Sequence, residues 1–384
     1  MKIGITTFGG DGGKSGISQY IINLLKAFAS LETGPQFEVM VYWDEKGLFV
    51  PDQEHKQVSS LCFGDALRHP VTNIAWHQVS LPAWCRRQKY DVLFLPAGNR
   101  RLPVRVPCPS VGTVHDFSSI HVEGKYDPAR MFYIKHVLPF LIRRLTRVLT
   151  VSESSKRDIV EYAGVPEEHV SVTPLAADRQ IYFPRNRDDC IGRIGPKYDI
   201  RPPYILYISR IEHPGKNHAG LIRAFSILKE TERLPHQLVL AGSAWDRADE
   251  VHRTASAVSC ADDIVFTGFV PASDLPDLYC GSELFVFPSL YEGFGLPVLE
   301  AMSCGIPVAC SNSASLPEVA GDACILFDPY DDESIAHAMG GLLTNPDKMD
   351  ACRRRGLHRS QQFTWSATAA LTLQVLRAAA AEGP

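Results

Sequence analysis

The feature that most constrains this chain is a pattern that occurs twice. Short β-branched segments, apolar on both faces, alternate with helical stretches. KIGITTF (2–8), FEVMVYW (37–43), DVLFL (91–95), SVGTV (110–114) and RVLTV (147–151) form the first series, and ISQYIINLLKAFASL (17–31) reads as an amphipathic helix within it. YILYIS (204–209), QLVLAG (237–242), DIVFTG (263–268), ELFVFPS (283–289) and IPVACS (306–311) form the second, with a helix from about 217. Strands without a polar face need cover on both sides, which parallel sheets flanked by helices provide. Two successive series predict an α/β chain of two Rossmann-like domains. A length of 384 residues likewise exceeds one ordinary core. The polar stretch FPRNRDDCIGRIGPKYDIRPP (183–203) reads as the interdomain linker, which opens a second domain at 184–365.

Composition narrows the function classes. Hydrophobic residues at 45% and charged residues at 21% fit a globular protein. No run reaches the roughly 18 apolar residues a membrane span needs, and glycines interrupt the apolar run after Phe8 where a signal peptide would continue. A cytoplasmic chain is expected. Ten cysteines lie scattered, none in a C-x-x-C pair and none with histidines at zinc spacing, as in a reduced compartment. No D-x-D stands at a strand end, so neither a metal site nor a cofactor is expected. Residues 1–150 carry 18 Lys/Arg against 12 Asp/Glu, whereas the remainder carry 21 against 31. A basic first half suits an anionic surface such as phospholipid or a lipid-linked phosphate. Nucleic acid is not expected, because no recognition module and no basic run interleaved with aromatics is present.

Five segments carry candidate chemistry. In PSLYEGFGLPVLEAMSCGIPVACS (288–311) a strand feeds a glycine-rich turn and a helix starts near Leu296. A helix N-terminus favours phosphate oxygens, and Gly293 and Gly295 let the backbone approach a diphosphate. Glu292 lies in the turn and Glu300 on the helix, placed to bind a sugar and a ribose; a capped helix with two solvated glutamates is the open alternative. In YISRIEHPGKNHAGLIRAF (207–225), Arg210 ends a strand and Lys216 precedes the next helix, placed for two cations to neutralise a leaving diphosphate; two ordinary surface charges are the open alternative. The cluster GGDGGKSG (9–16) is not a P-loop, because G-x4-G-K-[ST] requires glycine where Phe8 stands. It is otherwise a flexible strand–helix turn. TVHDF (113–117) sets His115 and Asp116 at a strand end, either to orient a hydroxyl or as a cap beside a satisfied histidine. RMFYIKHVLPFLIRRLTRV (130–148) reads as a basic amphipathic helix, kinked at Pro139, that packs with a solvated face or lies on an anionic membrane.

Glu292 and Glu300 form an E-x7-E pattern within EGFGLPVLEAMSCGIPVACSNSASLPEVAGDACILFDP. Together with SRIEHPGKN, TGFVPASDLPDLY and SESSKRDIVEYAG, this resembles the retaining GT-B glycosyltransferases of family 4 over nearly the whole chain. The resemblance implies two Rossmann-like domains with parallel sheets facing across a cleft that closes over substrates. It also implies a last helix, 366–384, that returns to the first domain (1–183). Arg210 and Lys216 would hold the donor diphosphate, Glu300 the ribose hydroxyls, and Glu292 the transferred sugar. Backbone N–H groups of Phe294, Gly295 and Leu296 would surround sugar and phosphate, and Phe269 and Val270 would line the nucleobase. Gly13 and Gly16 would face the cleft, and His115 the transferred sugar. The segment VTPLAAD (172–178) departs from the P-N-G-V-D string of many relatives.

The expected activity is metal-independent hexosyl transfer with retention, by same-face attack in which the leaving phosphate takes the acceptor proton. The resemblance points to mannose from GDP-mannose, with a glycan or lipid-linked acceptor in polysaccharide biosynthesis. A protein of that kind would sit peripherally on the inner membrane face. A glucosyl- or N-acetylhexosaminyltransferase using a UDP-sugar, and a sugar-nucleotide epimerase of the same fold, are the alternatives.

Overall fold

The computed structural model describes residues 1–13, 15–50 and 57–383. The chain divides into two compact units. One comprises Met1–Phe117, Asp127–Leu175 and Thr364–Pro384; the other comprises Ser118–Tyr126 and Ala176–Phe363.

The first unit is built on a seven-stranded sheet of β1 (Lys2–Thr6), β2 (Gln36–Tyr42), β3 (Val58–Phe63), β4 (Val92–Leu95), β5 (Ser110–Thr113), β6 (Arg147–Thr150) and β7 (Val170–Val172). The order is β3-β2-β1-β4-β5-β6-β7, and every neighbouring pair is parallel. β4 and β5 are buried along their whole length, as two-sided apolar strands require. The helix Gly16–Ala29 buries Tyr20, Ile21, Leu24, Leu25 and Phe28 at helical spacing. The closing helix Trp365–Glu382 also belongs to this unit. Thr364 caps it, Leu373 and Leu376 are buried, and Thr368 donates from Oγ1 to the Pro174 carbonyl at 2.5 Å.

The second unit holds a six-stranded sheet of β8 (Tyr204–Ile208), β9 (Gln237–Ala241), β10 (Ile264–Gly268), β11 (Leu284–Phe287), β12 (Val308–Ser311) and β13 (Ile325–Phe327), ordered β10-β9-β8-β11-β12-β13 and all parallel. Strand order reverses beside the first strand of each series, at β1 between β2 and β4 and at β8 between β9 and β11. In open α/β sheets ligands bind at that point, outside the carboxyl ends of the strands.

Three readings of the sequence need correction. The stretch 183–203 is not an extended linker, because Arg187–Tyr198 is a helix of the second unit, capped by Asn186. Asp277, on the helix Leu275–Gly281, accepts from Arg185 and Arg193 and fixes this segment in place. Gly192, Gly195 and Pro196 disguise it as loop, since Pro196 lies inside the helix yet has no N–H to donate to the Gly192 carbonyl. The basic segment 130–148 is not one helix. Helical backbone runs from Pro128 to Ile142 through a wide turn at Tyr133–Val137, and Arg147 already opens β6. That wide turn sits just ahead of Pro139, whose ring and missing N–H an ordinary α-turn does not accommodate. Strands β3, β7 and β13 had no counterpart in the sequence reading. All three are terminal strands of their sheets, and β7 and β13 are only three residues long, so they need fewer apolar residues.

Candidate active site

At the carboxyl edge of the second sheet, the loops leaving β8 and β9 stay paired beyond their strands. Ile211 N–H donates to Ser243 O at 2.9 Å, and Trp245 N–H to Ile211 O at 2.9 Å. The approach is so close that a Cβ on Gly242 (φ 152°) would stand 1.9 Å from the Ser209 carbonyl oxygen, so no side chain fits there. This pairing carries Arg210 and Trp245 side by side. The guanidinium lies 5.0 Å from the indole centroid and 3.4 Å from the buried carboxylate of Glu212. Neither Glu212 nor Trp245 was singled out from the sequence. A carboxylate two residues after the arginine was the only signal for the first, and nothing flagged the second.

Lys216 follows on the same loop, and its Nζ donates to Glu292 Oε1 at 2.6 Å. Both side chains are mostly buried, with 20% and 16% exposure. Burial on its own would depress the Lys216 ammonium, but the Glu292 carboxylate, with Tyr207 and Glu212 beyond it, holds its pKa well above the ordinary value. The lysine therefore stays charged in a site poor in water. The Tyr207 hydroxyl donates to the Lys216 carbonyl at 2.7 Å, and Leu290 N–H to the Gly215 carbonyl at 3.0 Å. The β8 and β11 loops are thus tied together across the switch point.

The turn that carries Glu292 is braced from β12. The fully buried Ser315 hydroxyl lies 2.9 Å from the Glu292 carbonyl and 2.8 Å from that of Phe294. Gly293 is buried, and so is Phe294, whose ring packs edge-on against Phe363 at 5.9 Å. Gly295 has φ 107°, and a Cβ on it would meet Leu316 at 2.6 Å. The helix Leu296–Ser303 starts directly after it; Pro297 carries no N–H and Val298 N–H donates to the Gly295 carbonyl at 3.0 Å, so of the first three helical residues it is Leu296 whose N–H has no partner within the helix. Ser315 is a further residue that the sequence reading passed over.

Glu300 lies on the same helix and accepts from the Tyr279 hydroxyl at 2.8 Å. Burial pushes its carboxyl up to about 7, against the hydrogen bonds from Tyr279 and Tyr182, which lower it. At the end of β10, Phe269 is 61% exposed and the adjacent Val270 is buried. Arg210, Lys216, Glu292, Gly293, Phe294, Gly295 and Leu296 thus come together on loops leaving one sheet edge at the switch point, whereas Phe269 and Val270 lie on the loop leaving β10, two strands from β8.

In the first unit, His115 follows β5 and is buried. Its Nε2 lies 2.9 Å from the Pro96 carbonyl, and its backbone N–H donates to Asn99 Oδ1 at 2.6 Å. A ring nitrogen facing a carbonyl carries the proton, so Nδ1 is the acceptor. Burial depresses the imidazole pKa, which keeps the ring neutral near pH 7. The Asp116 carbonyl accepts from Asn99 Nδ2 at 2.7 Å. The glycine loop after β1 is ordered by Asp11, which accepts from Ser15 N–H at 2.9 Å and from the Ser18 hydroxyl at 2.8 Å. Gly13 takes φ 87°, and Gly16 opens the helix with nothing within 4 Å of where its Cβ would stand. Lys14 lies outside the described residues.

Comparison with known proteins agrees with this geometry. Residues 195–359 match the family described as glycosyl transferases group 1, and residues 14–180 match Glycosyltransferase Family 4. The chain is 32% identical over 362 residues to O-antigen chain mannosyltransferase B of Escherichia coli, which covers 91% of this chain and 93% of that protein. It is also 32% identical over 285 residues to the serotype-specific mannosyltransferase WbdA of E. coli, but spans only 34% of that longer protein. Among solved structures, Anabaena Alr3699/HepE in complex with UDP and glucose superposes with a TM-score of 0.75 at 20% identity, covering 98% of this chain and all of that one. The last likeness shows the shared GT-B fold.

Proposed function

The chain belongs to the group 1 and family 4 glycosyltransferases, and from that premise we propose that it transfers mannose from GDP-mannose, with retention, to a glycan or lipid-linked acceptor in polysaccharide assembly. The mannose reading is supported by the mannosyltransferase relatives. The site reading is carried by one observation: the Lys216–Glu292 pair joins the β8 and β11 loops at the switch point of the second sheet, and Arg210 lies on that same β8 loop.

In this reading Arg210, Lys216 and the backbone N–H groups of Gly295 and Leu296, at the start of the helix Leu296–Ser303, receive the donor diphosphate. As the bond from sugar to phosphate lengthens, negative charge grows on the leaving oxygen, and these fixed donors stabilise it without a metal ion. The acceptor oxygen bonds to the anomeric carbon on the face the phosphate leaves, and its proton passes to the phosphate oxygen. Double displacement would instead need a carboxylate nucleophile about 5 Å from an acid. Glu292 is tied to an ammonium at 2.6 Å, a partner that blunts its nucleophilicity. Glu300 accepts from the ribose hydroxyls, and Phe269 with Val270 flanks the base. On the first unit, His115 Nδ1 accepts from a substrate hydroxyl, while Gly13, Gly16 and Asp116 line the approach.

The donor is tested by thermal shift against GDP-, UDP- and ADP-sugars. A cognate donor at hundredfold excess over its Kd stabilises by about 2.7 kcal/mol, and GDP-mannose is expected to give the largest rise in Tm. A larger rise with UDP-glucose would replace mannose with the UDP-sugar alternative, and conversion of a sugar nucleotide without acceptor would identify an epimerase. Excess EDTA is expected to leave transfer unchanged; loss of activity would overturn metal independence.

No helix among the described residues is long and apolar enough to cross a membrane. We propose peripheral contact with an anionic leaflet through the segment Pro128–Ile142 of the first unit. There Phe132 (63% exposed) and Phe140 (40%) stand among Arg130, Lys135, Arg143 and Arg144. The protein is expected to float with phosphatidylglycerol-containing vesicles and to be released by high salt. Absence of binding, or equal binding to pure phosphatidylcholine, would contradict that contact.

A further inference from the structure

The segment Ser118–Tyr126 follows β5 in sequence, yet it packs as part of the second unit. It is braced internally, with Val122 N–H donating to the Ser118 carbonyl at 3.0 Å and Lys125 Nζ to the Ser118 hydroxyl at 2.8 Å. One of its residues touches, and two more stand close to, loops leaving the carboxyl edge of the second sheet. The His121 imidazole stacks on the Tyr291 ring, with centroids 4.3 Å apart and planes 6° from parallel. Val122, itself buried, puts Cγ1 3.8 Å from where a Cβ on Gly215 would stand. Gly124, at φ 68°, lies against Arg247, with an Nη1 3.9 Å from its Cβ position.

These contacts fall at a telling place in the chain. Gly215 immediately precedes Lys216, and Tyr291 immediately precedes Glu292. The backbone hydrogen bond from Leu290 N–H to the Gly215 carbonyl joins the same two loops between the contact points. The segment therefore stacks on one side of the junction on which the 2.6 Å Lys216–Glu292 pair depends and lies close to the other. A parallel stack resists tilting of either ring, so it restrains the Tyr291 side chain and, through it, the turn that begins there.

We propose that His121 is a positioning residue for the donor site: by stacking on Tyr291 it fixes the Glu292 turn against Lys216 before the donor arrives. The inference rests on the donor-site reading above. Its role is that of a flat ring, not of an acid or base.

The test compares nucleotide-sugar binding and transfer in the wild type, His121→Ala and His121→Phe. His121→Ala is expected to weaken donor affinity roughly three- to tenfold, the range that removing one aromatic pair spans, with Tm nearly unchanged because the ring is exposed. His121→Phe, which keeps the stack, is expected to restore affinity to near the wild-type value across pH 6 to 8. Tyr291→Ala added to His121→Ala is expected to cost little more. Wild-type affinity in His121→Ala, or failure of His121→Phe to restore binding, would overturn the proposal. If the wild-type protein bound no nucleotide sugar at all, the donor-site reading would fail instead.

Discussion

Lys216→Ala is expected to lower sugar transfer by roughly 100- to 1,000-fold, the loss that follows removal of one preorganised donor to a developing oxyanion. Two effects add. The ammonium that would face the leaving diphosphate is gone, and Glu292, now without its 2.6 Å partner, presents an uncompensated carboxylate where phosphate oxygens should bind. Donor affinity and turnover should therefore fall together. Lys216→Arg should not rescue, because a planar fork cannot replace a compact ammonium in a mostly buried slot. Glu292→Ala should be comparably inactive, since the lysine then loses the carboxylate that keeps it charged and aimed. Both variants should stay folded, as Tyr207, Leu290 and Ser315 hold the loops through backbone contacts. Near-native turnover by both, measured by single-turnover transfer, would remove the site assignment.

Glu300→Gln is expected to separate stability from function. The Glu300 carboxyl titrates at 4.5 in the unfolded chain and is pushed up to about 7 by burial in the fold. Below pH 4.5 both states hold the proton. Between 4.5 and 7 the unfolded state releases it first, so stability falls as pH rises through that window. Above it the unliganded fold carries the cost of an ionised buried carboxylate, at most about 3 kcal/mol. Glutamine keeps an acceptor for the Tyr279 hydroxyl without that charge. Glu300→Gln should thus melt several degrees higher than wild type at pH 8 and show no such gain at pH 4. Donor affinity should fall about 10- to 100-fold, because hydrogen bonds from ribose to a charged acceptor are lost. Parallel melting curves at pH 4, 6 and 8, with donor titrations, read both effects. Equal Tm differences at every pH would show that the carboxylate is not displaced from its ordinary range.

The sequence made the sheets legible where strands run apolar on both faces, as in VLFL of β4 and LFVF of β11. It hid β3, β7 and β13, which lie at sheet ends and need less apolar surface, and it disguised the helix Arg187–Tyr198 behind two glycines and a proline. At the site, Arg210, Lys216 and the Glu292 turn were readable because each sits a fixed few residues after a recognisable strand. Their supports were not. Ser315 braces the turn from 23 residues downstream. Trp245 reaches Arg210 only because two loops stay paired past their strands. His121 meets Tyr291 across 170 residues of sequence, and no local pattern announces such a contact.

The most direct test is a crystal structure of the protein with GDP or GDP-mannose bound. The diphosphate is expected within hydrogen-bonding distance of Arg210, Lys216 Nζ and the backbone N–H of Gly295 or Leu296, with ribose hydroxyls at Glu300. A diphosphate bound elsewhere, with Lys216 still locked to Glu292 and making no contact with it, would contradict that placement.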